Sequence, residues 1–228
     1  MGPRIRRHNN FIYLTVALVL LLLTPALGKI MDTGLGEIAL KVVAMGTLTV
    51  AFTSVSFASR WGRIVIVLLF LWITVAVAQS RLPDIDLDLI ELAILLLFFS
   101  GEAYYAAKLG LDSKYRAMDA NLVASSISLY LLLGLIWSMV FLITLEFFPN
   151  AFNISVSGHW PEYFHTIIYY TYVTMTSLGY GDISPTHSLS QIFAVFTAIS
   201  GTFYVAIVVA TIVGVRNNSK NPQGEDLA

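Results

Sequence analysis

The sequence predicts an all-α membrane protein with six transmembrane helices and one shorter, re-entrant helix between the fifth and the sixth. Of the 228 residues, 57% are hydrophobic and only 12% are charged, and the mean hydropathy is +0.77. A soluble domain carries about 25% charged residues. Six apolar runs are each near the ~20 residues that cross the hydrocarbon core of a bilayer.

The apolar runs define the predicted helices in chain order. The six spans cover residues 11–28, 35–58, 62–80, 87–107, 122–148 and 189–215. A shorter apolar run, 162–175, follows Pro161, and proline together with the carboxylate of Glu162 is typical of a helix start. These 14 residues are too few to span a bilayer, so the run predicts a re-entrant helix.

The helices group into three regions. Residues 1–116 form a four-helix membrane domain, residues 117–216 form a domain of helix, short helix, loop and helix, and residues 217–228 form a short polar tail. The first span has an alternative interpretation, because its Arg-rich start and the small residues near Gly28 also resemble a cleaved signal peptide. Cleavage would leave five spans.

Composition limits the possible functions. The formal net charge of −1 argues against a nucleic-acid partner, which requires a basic surface. The absence of cysteine excludes disulfides and thiolate metal sites. The sequence has no spacing typical of a catalytic triad, a phosphate loop or a histidine metal cluster, so we expect no enzymatic activity.

The basic residues predict the orientation in the membrane. An even number of spans places both termini on one side, and that side carries ten of the 13 Lys and Arg residues. The positive-inside rule therefore predicts cytoplasmic termini. The loop after the short helix, which ends at Asp182, would then open to the outside.

That loop contains two glycines around a tyrosine. It reads Ser177-Leu178-Gly179-Tyr180-Gly181-Asp182. Glycine tolerates positive φ, so this backbone can alternate between left- and right-handed conformations and direct successive carbonyls the same way. A stack of carbonyls replaces water around a dehydrated cation.

Together with the preceding Thr174-Met175-Thr176, the loop resembles the filter signature of tetrameric potassium channels, which usually reads Thr-Val-Gly-Tyr-Gly. Here Ser177 stands for the threonine and Leu178 for the valine, and the resemblance covers residues 122–215. It implies a homotetrameric pore in the lipid bilayer of the cell membrane, with K⁺ as the permeant ligand and no other cofactor. It gives no indication of accessory subunits.

The resemblance also implies roles for individual residues. The carbonyls of Ser177, Leu178, Gly179 and Tyr180 would bind K⁺, and Asp182 would lie at the outer mouth. The complete ion-binding set is Thr176, Ser177, Leu178, Gly179, Tyr180 and Gly181.

Residues outside the loop would support it. Tyr169 and Tyr170 occupy the positions of an aromatic pair that braces the filter, and a hydrogen bond from Tyr169 to Asp182 is expected. Val173 stands where some members of the family have a glutamate. Gly201 would be either a gating hinge or a site of close helix packing.

Four observations concern regulation. Residues 87–107 contain no arginine, whereas voltage-sensing members of the family have several there, so we predict weak or absent voltage dependence. Glu91 pairs with Lys41 in one hypothesis, and both side chains snorkel in the other. His159 and His165 suggest an effect of external pH. Asn153 begins a glycosylation sequon.

Three alternatives to a potassium-selective channel stay open: a non-selective cation channel, a potassium-uptake transporter and a non-conducting subunit. The intact Gly179-Tyr180-Gly181 argues against the first and the third. The single copy of the motif argues against the second, because transporters of that type carry four pore repeats in one chain.

Overall fold

The computed structural model describes residues 10–31, 46, 60–81, 86–111, 120–156 and 158–220. Within these ranges the chain forms six helices. They are α1 (Asn10–Met31), α2 (Arg60–Arg81), α3 (Asp88–Leu111), α4 (Ala120–Phe147), α5 (Trp160–Met175) and α6 (Ser188–Lys220). Five of them overlap predicted spans, and α5 is the predicted short helix. The other predicted span, 35–58, lies outside the described residues except for position 46.

Among the helices in the described part of the chain, three are long and apolar enough to cross a membrane. These stretches are Asp88–Lys108, Val123–Phe147 and Ser188–Thr211. The apolar stretches of α1 and α2, Phe11–Thr24 and Arg63–Gln79, are shorter. The helical membrane class is therefore supported, while the number of spans stays a prediction.

Helix α4 is the centre of the packing, since α1, α3, α5 and α6 all contact it. Five of its fully buried apolar side chains recur every three or four residues along the helix. They are Leu132, Leu135, Met139, Leu142 and Leu145. Phe141 is fully buried as well, so the covered surface of α4 is wider than this stripe and can contact several neighbouring helices.

Helix α1 belongs to this core. Leu14 and Leu18 are buried. The Thr15 hydroxyl lies 2.7 Å from Ser128 Oγ and donates a hydrogen bond to the carbonyl of Ala124 at 3.0 Å. Cleavage of the first segment as a signal peptide would remove all of these contacts with α4.

Helix α6 packs differently from the others. Its buried residues within 188–211 are small: Ser190, Thr197 and Gly201. Small residues allow close approach between membrane helices. Its large apolar side chains are exposed, namely Leu189, Ile192, Val195, Phe196, Ile199, Phe203, Val205, Ile207 and Val209.

A glycine in α4 fixes the position of α5. The Tyr172 hydroxyl donates a 2.7 Å hydrogen bond to the carbonyl of Leu131. The ring of Tyr172 lies directly against Gly134, where a Cβ atom would overlap it. The helices can come this close only because residue 134 has no side chain.

We expect Gly134→Ala to destabilise the protein by about 1–3 kcal/mol, because the added methyl group overpacks a filled contact. Thermal unfolding of the purified protein in detergent measures the change. In a Tyr172→Leu background the same substitution should cost much less. Equal costs in both backgrounds would contradict the contact.

Candidate functional site

Residues 177–182, which we term the glycine-rich segment, follow α5 as non-helical backbone. φ is positive at Ser177 (58°), Gly179 (55°) and Gly181 (79°), whereas Leu178 and Tyr180 have ordinary negative values. The alternation expected from the two glycines is therefore present. Ser177 extends it to a residue with a Cβ atom, where the left-handed conformation costs roughly 1–2 kcal/mol and must be held by surrounding contacts.

The amide groups at the start of the segment turn back onto the end of α5. Leu178 N and Gly179 N both donate to the carbonyl of Val173, at 2.9 and 3.2 Å, and Ser177 N donates to the carbonyl of Thr174 at 3.0 Å. Within the described part of the chain, no group donates a hydrogen bond to the carbonyls of residues 177–180. The amides of residues 177–179 are thus used for support, and the carbonyls of residues 177–180 are available to a ligand.

Asp182 closes the segment and is held by α5. The hydroxyl of Tyr169 donates a 2.7 Å hydrogen bond to Asp182 Oδ2, which confirms the predicted contact. This hydrogen bond lowers the pKa of Asp182 below its ordinary value. Asp182 therefore stays ionised at neutral and mildly acidic pH, as an acidic group must in order to attract cations.

The predicted support residues Tyr170 and Val173, and Thr176 of the predicted ion-binding set, make different contacts. Tyr170 is buried, and its ring packs against Phe141 and Phe152 at centroid distances of 5.2 and 4.9 Å. Val173 contributes its backbone carbonyl. The hydroxyl of Thr176 donates to the carbonyl of Tyr172 at 2.7 Å. Sequence patterns carry no signal for contacts made by the backbone of Val173.

Gly201 lies against the end of α5. A Cβ atom at position 201 would overlap the carbonyl oxygen of Met175, and that carbonyl belongs to the last residue of α5. Helix α6 continues through Gly201 to Lys220. The geometry favours close packing over a hinge as the reason for glycine at this position.

The two roles of Gly201 predict opposite signs for Gly201→Ala. At a pure hinge, alanine would stabilise the helix by up to ~1 kcal/mol. At a contact, the overlap should destabilise the protein by about 1–3 kcal/mol, and this is the result we expect. Thermal unfolding of Gly201→Ala and of the wild type in detergent measures the difference. Unchanged or raised stability of the variant would contradict the contact. Ala206→Gly, an exposed position of the same helix, calibrates the helix propensity.

The beginning of α5 is bound to α3. Asp88 Oδ2 accepts hydrogen bonds from His159 Nδ1 at 2.9 Å and from Trp160 N at 3.4 Å. Trp160 Nε1 donates to Glu91 Oε2 at 2.9 Å. His159 is the N-cap residue of α5 and makes no side-chain cap of its own, so Asp88 supplies the cap from another helix.

This contact bears on the proposed pairing of Glu91 and on a cluster of potential metal ligands. Glu91 binds Trp160, and Lys41, its proposed partner, lies outside the described residues. Asp86, Asp88 and His159 each place a potential ligand atom within 4.8 Å of the others. The hydrogen bonds among these groups account for their proximity, so it gives no separate argument for a metal ion.

The ion pair with Asp88 makes His159 sensitive to pH. The hydrogen bond from His159 to Asp88, followed by the charge of that carboxylate, raises the pKa of His159. Asp86 and Glu162 act in the same direction, and burial opposes them. A raised folded-state pKa means that the pair contributes its full stability below the unfolded value of about 6.5 and loses it as the pH rises through the folded value.

We therefore expect the melting temperature of the wild type to exceed that of His159→Asn most strongly near pH 6 and progressively less towards pH 9. Asparagine retains a donor near the Nδ1 position but does not titrate, so the difference between the two proteins isolates the charge. Differential scanning fluorimetry across this pH range measures it. A difference independent of pH would contradict the ion pair.

The fold and the site define a helical membrane protein with a non-helical segment whose carbonyls at residues 177–180 accept no hydrogen bond within the described part of the chain. Residues 126–215 match the model of a family described as an ion channel. This match covers less than half of the 228-residue chain and contains α5, the glycine-rich segment and most of α4 and α6. Neither curated proteins nor solved structures gave a match. The family match supports an ion channel and points to a non-enzymatic transport protein.

Several contributors to the site carried no recognisable sequence signal. In the sequence, Gly134 is one of several glycines in apolar segments and Asp88 is an acidic residue at a helix start. Asn153 stands out only as the first residue of a glycosylation sequon. Each acts through a residue distant in the chain, at Tyr172, Trp160 and Asp182 respectively. A sequence pattern cannot report such pairings.

Proposed function

We propose that the protein is a potassium-selective channel that conducts K⁺ passively through a pore built by four copies of the chain. The single observation that carries the proposal is the glycine-rich segment, with its alternating backbone and its row of free carbonyls. The carbonyls of Ser177, Leu178, Gly179 and Tyr180 replace the hydration shell of K⁺. Asp182 at the outer mouth raises the local cation concentration.

One chain cannot complete such a site. A free carbonyl in contact with lipid would cost several kcal/mol, so non-helical backbone at membrane depth must be enclosed by protein or face water. Leu178 and Tyr180 are 55% and 66% exposed in the single chain, and α6 exposes most of its large apolar side chains. Additional copies around a closed symmetry axis would cover these surfaces and surround the ion, and the resemblance implies four.

The orientation of α5 supports the same function. Its C-terminal end, at Met175, leads directly into the glycine-rich segment. The helix dipole gives this end a partial negative charge, which favours a cation next to it. The proposed arrangement in the cell membrane has cytoplasmic termini and places Asp182 outside, as the distribution of Lys and Arg predicts.

A non-selective cation channel is the second candidate. Ser177 and Leu178 differ from the usual threonine and valine, and these substitutions favour that alternative at the level of fine selectivity. The presence of Gly179-Tyr180-Gly181 favours potassium selectivity.

Purified protein in a planar bilayer under opposed K⁺ and Na⁺ gradients distinguishes the candidates. We expect the current to reverse near the K⁺ equilibrium potential, without steep voltage activation because α3 lacks the required arginines. Reversal near zero would support the non-selective channel. Absence of current from reconstituted protein would contradict both candidates.

Two substitutions link the current to the segment. A Cβ atom at Gly179 meets no other atom, but φ of +55° makes any L side chain there strained, so Gly179→Ala should abolish selective current. Leu178→Val is the matched control, since residue 178 has negative φ, and it should retain the current. Equal currents from both variants would show that conduction does not depend on the backbone conformation at Gly179.

A further inference from the structure

We propose that Asn153 is a positioning residue that holds the outer end of the glycine-rich segment through its side-chain amide. The inference rests on the proposed function, because it explains how one part of the pore keeps its geometry. Asn153 lies in the loop between α4 and α5 and is separated from Asp182 by 29 positions in the chain.

The amide of Asn153 makes two hydrogen bonds to backbone just beyond Gly181. Nδ2 donates to the carbonyl of Asp182 at 3.2 Å, and Oδ1 accepts from Ser184 N at 2.6 Å. The backbone of Asn153 adds a third bond, from its N–H to the carbonyl of Ser184 at 3.1 Å. One residue therefore fixes both ends of the 182–184 turn.

Asn153 is itself held firmly by the core. Phe152 is 3% exposed, packs against Phe141 and Tyr170, and forms a β-bridge with Pro185. The carbonyl of Ala151 accepts hydrogen bonds from Thr186 N at 2.9 Å and from Ser190 Oγ at 2.7 Å. Residues 151–153 thus form a fixed support beside the exit of the segment.

Asp182 is consequently held on two sides. Tyr169 of α5 binds its carboxylate at 2.7 Å, and Asn153 binds its main-chain carbonyl. The Tyr169 bond fixes the side chain, whereas the Asn153 bond fixes the backbone that leads to Gly181. The backbone bond is the one that bears on the carbonyl positions within the segment.

The chemistry requires an amide at this position. The site needs a donor for Asp182 O and an acceptor for Ser184 N on one short side chain, and asparagine offers both. In the variant Asn153→Asp the acceptor remains, but the donor is replaced by a carboxylate oxygen that faces a carbonyl oxygen. This substitution separates the donor function from the size and shape of the side chain.

The test compares Asn153→Asp with Ser155→Ala in the bilayer assay. Loss of one hydrogen bond should raise the Na⁺/K⁺ permeability ratio about fivefold in Asn153→Asp. Ser155→Ala removes the glycosylation sequon, leaves the Asn153 amide in place and should behave as wild type. An effect shared by both variants would assign it to a glycan and overturn the proposal.

Acid provides a second readout that a merely structural role would not produce. When the external pH falls to about 4, about half of the new carboxyl groups in Asn153→Asp are protonated and can donate to Asp182 O again, so selectivity should recover in part. Asp182 remains ionised longer because its pKa is lowered. A permeability ratio in Asn153→Asp that equals the wild-type ratio at pH 7, or that fails to recover in acid, overturns the proposal.

The outcomes separate this inference from the proposed function. A wild type without potassium selectivity overturns the proposed function, whereas a selective wild type with unaffected Asn153→Asp overturns only the role of Asn153. If Asn153→Asp does not fold, hydrogen exchange of the wild type tests the proposal instead. The Ser184 amide should exchange about tenfold more slowly than an unprotected amide. Exchange at the unprotected rate overturns the proposal.

Discussion

The turn-back of the backbone onto the carbonyl of Val173 is the interaction on which the rest of the site depends. Because Leu178 N and Gly179 N both bind this one oxygen, the start of the glycine-rich segment has its donors directed to the end of α5 and its carbonyls left free. Positive φ at alternate residues makes this division possible over several residues in succession. The function proposed for the protein follows from that separation of donors and acceptors, since a cation binds only the acceptors.

The turn-back requires that α5 be held rigidly, and two glycines of neighbouring helices provide this. Gly134 of α4 admits the ring of Tyr172, and Gly201 of α6 admits the carbonyl of Met175. Both contacts lie within the last four residues of α5, next to the segment that it positions. Close packing at membrane-helix contacts uses small residues because apolar side chains gain little by exchanging lipid for protein. The same requirement explains why the buried residues of α6 are small while its large side chains are exposed.

Helices α1 and α3 also contribute to the position of α5. Helix α1 packs against α4 through Leu14, Leu18 and Thr15, and α3 caps the start of α5 through Asp88. A carboxylate at a helix N-terminus interacts favourably with the unsatisfied amides there. Helix α3, which lacks voltage-sensing arginines, is therefore still hydrogen-bonded directly to the start of α5. The contact of Asp88 with His159 responds to pH rather than to voltage.

The sequence by itself determined the helical membrane class, the short helix before the glycine-rich segment and the alternation of its backbone. Hydropathy, run length and glycine are local properties, and for that reason they can be recognised in one stretch of chain. The Tyr169–Asp182 hydrogen bond was also predictable, because the two residues are only 13 positions apart in a recognisable motif. The tertiary structure alone decided that Gly201 is a packing contact, that Asp88 caps α5 and that Asn153 supports Asp182. Each of these depends on contacts between residues that are far apart in the chain, and the sequence alone does not show which residues are in contact.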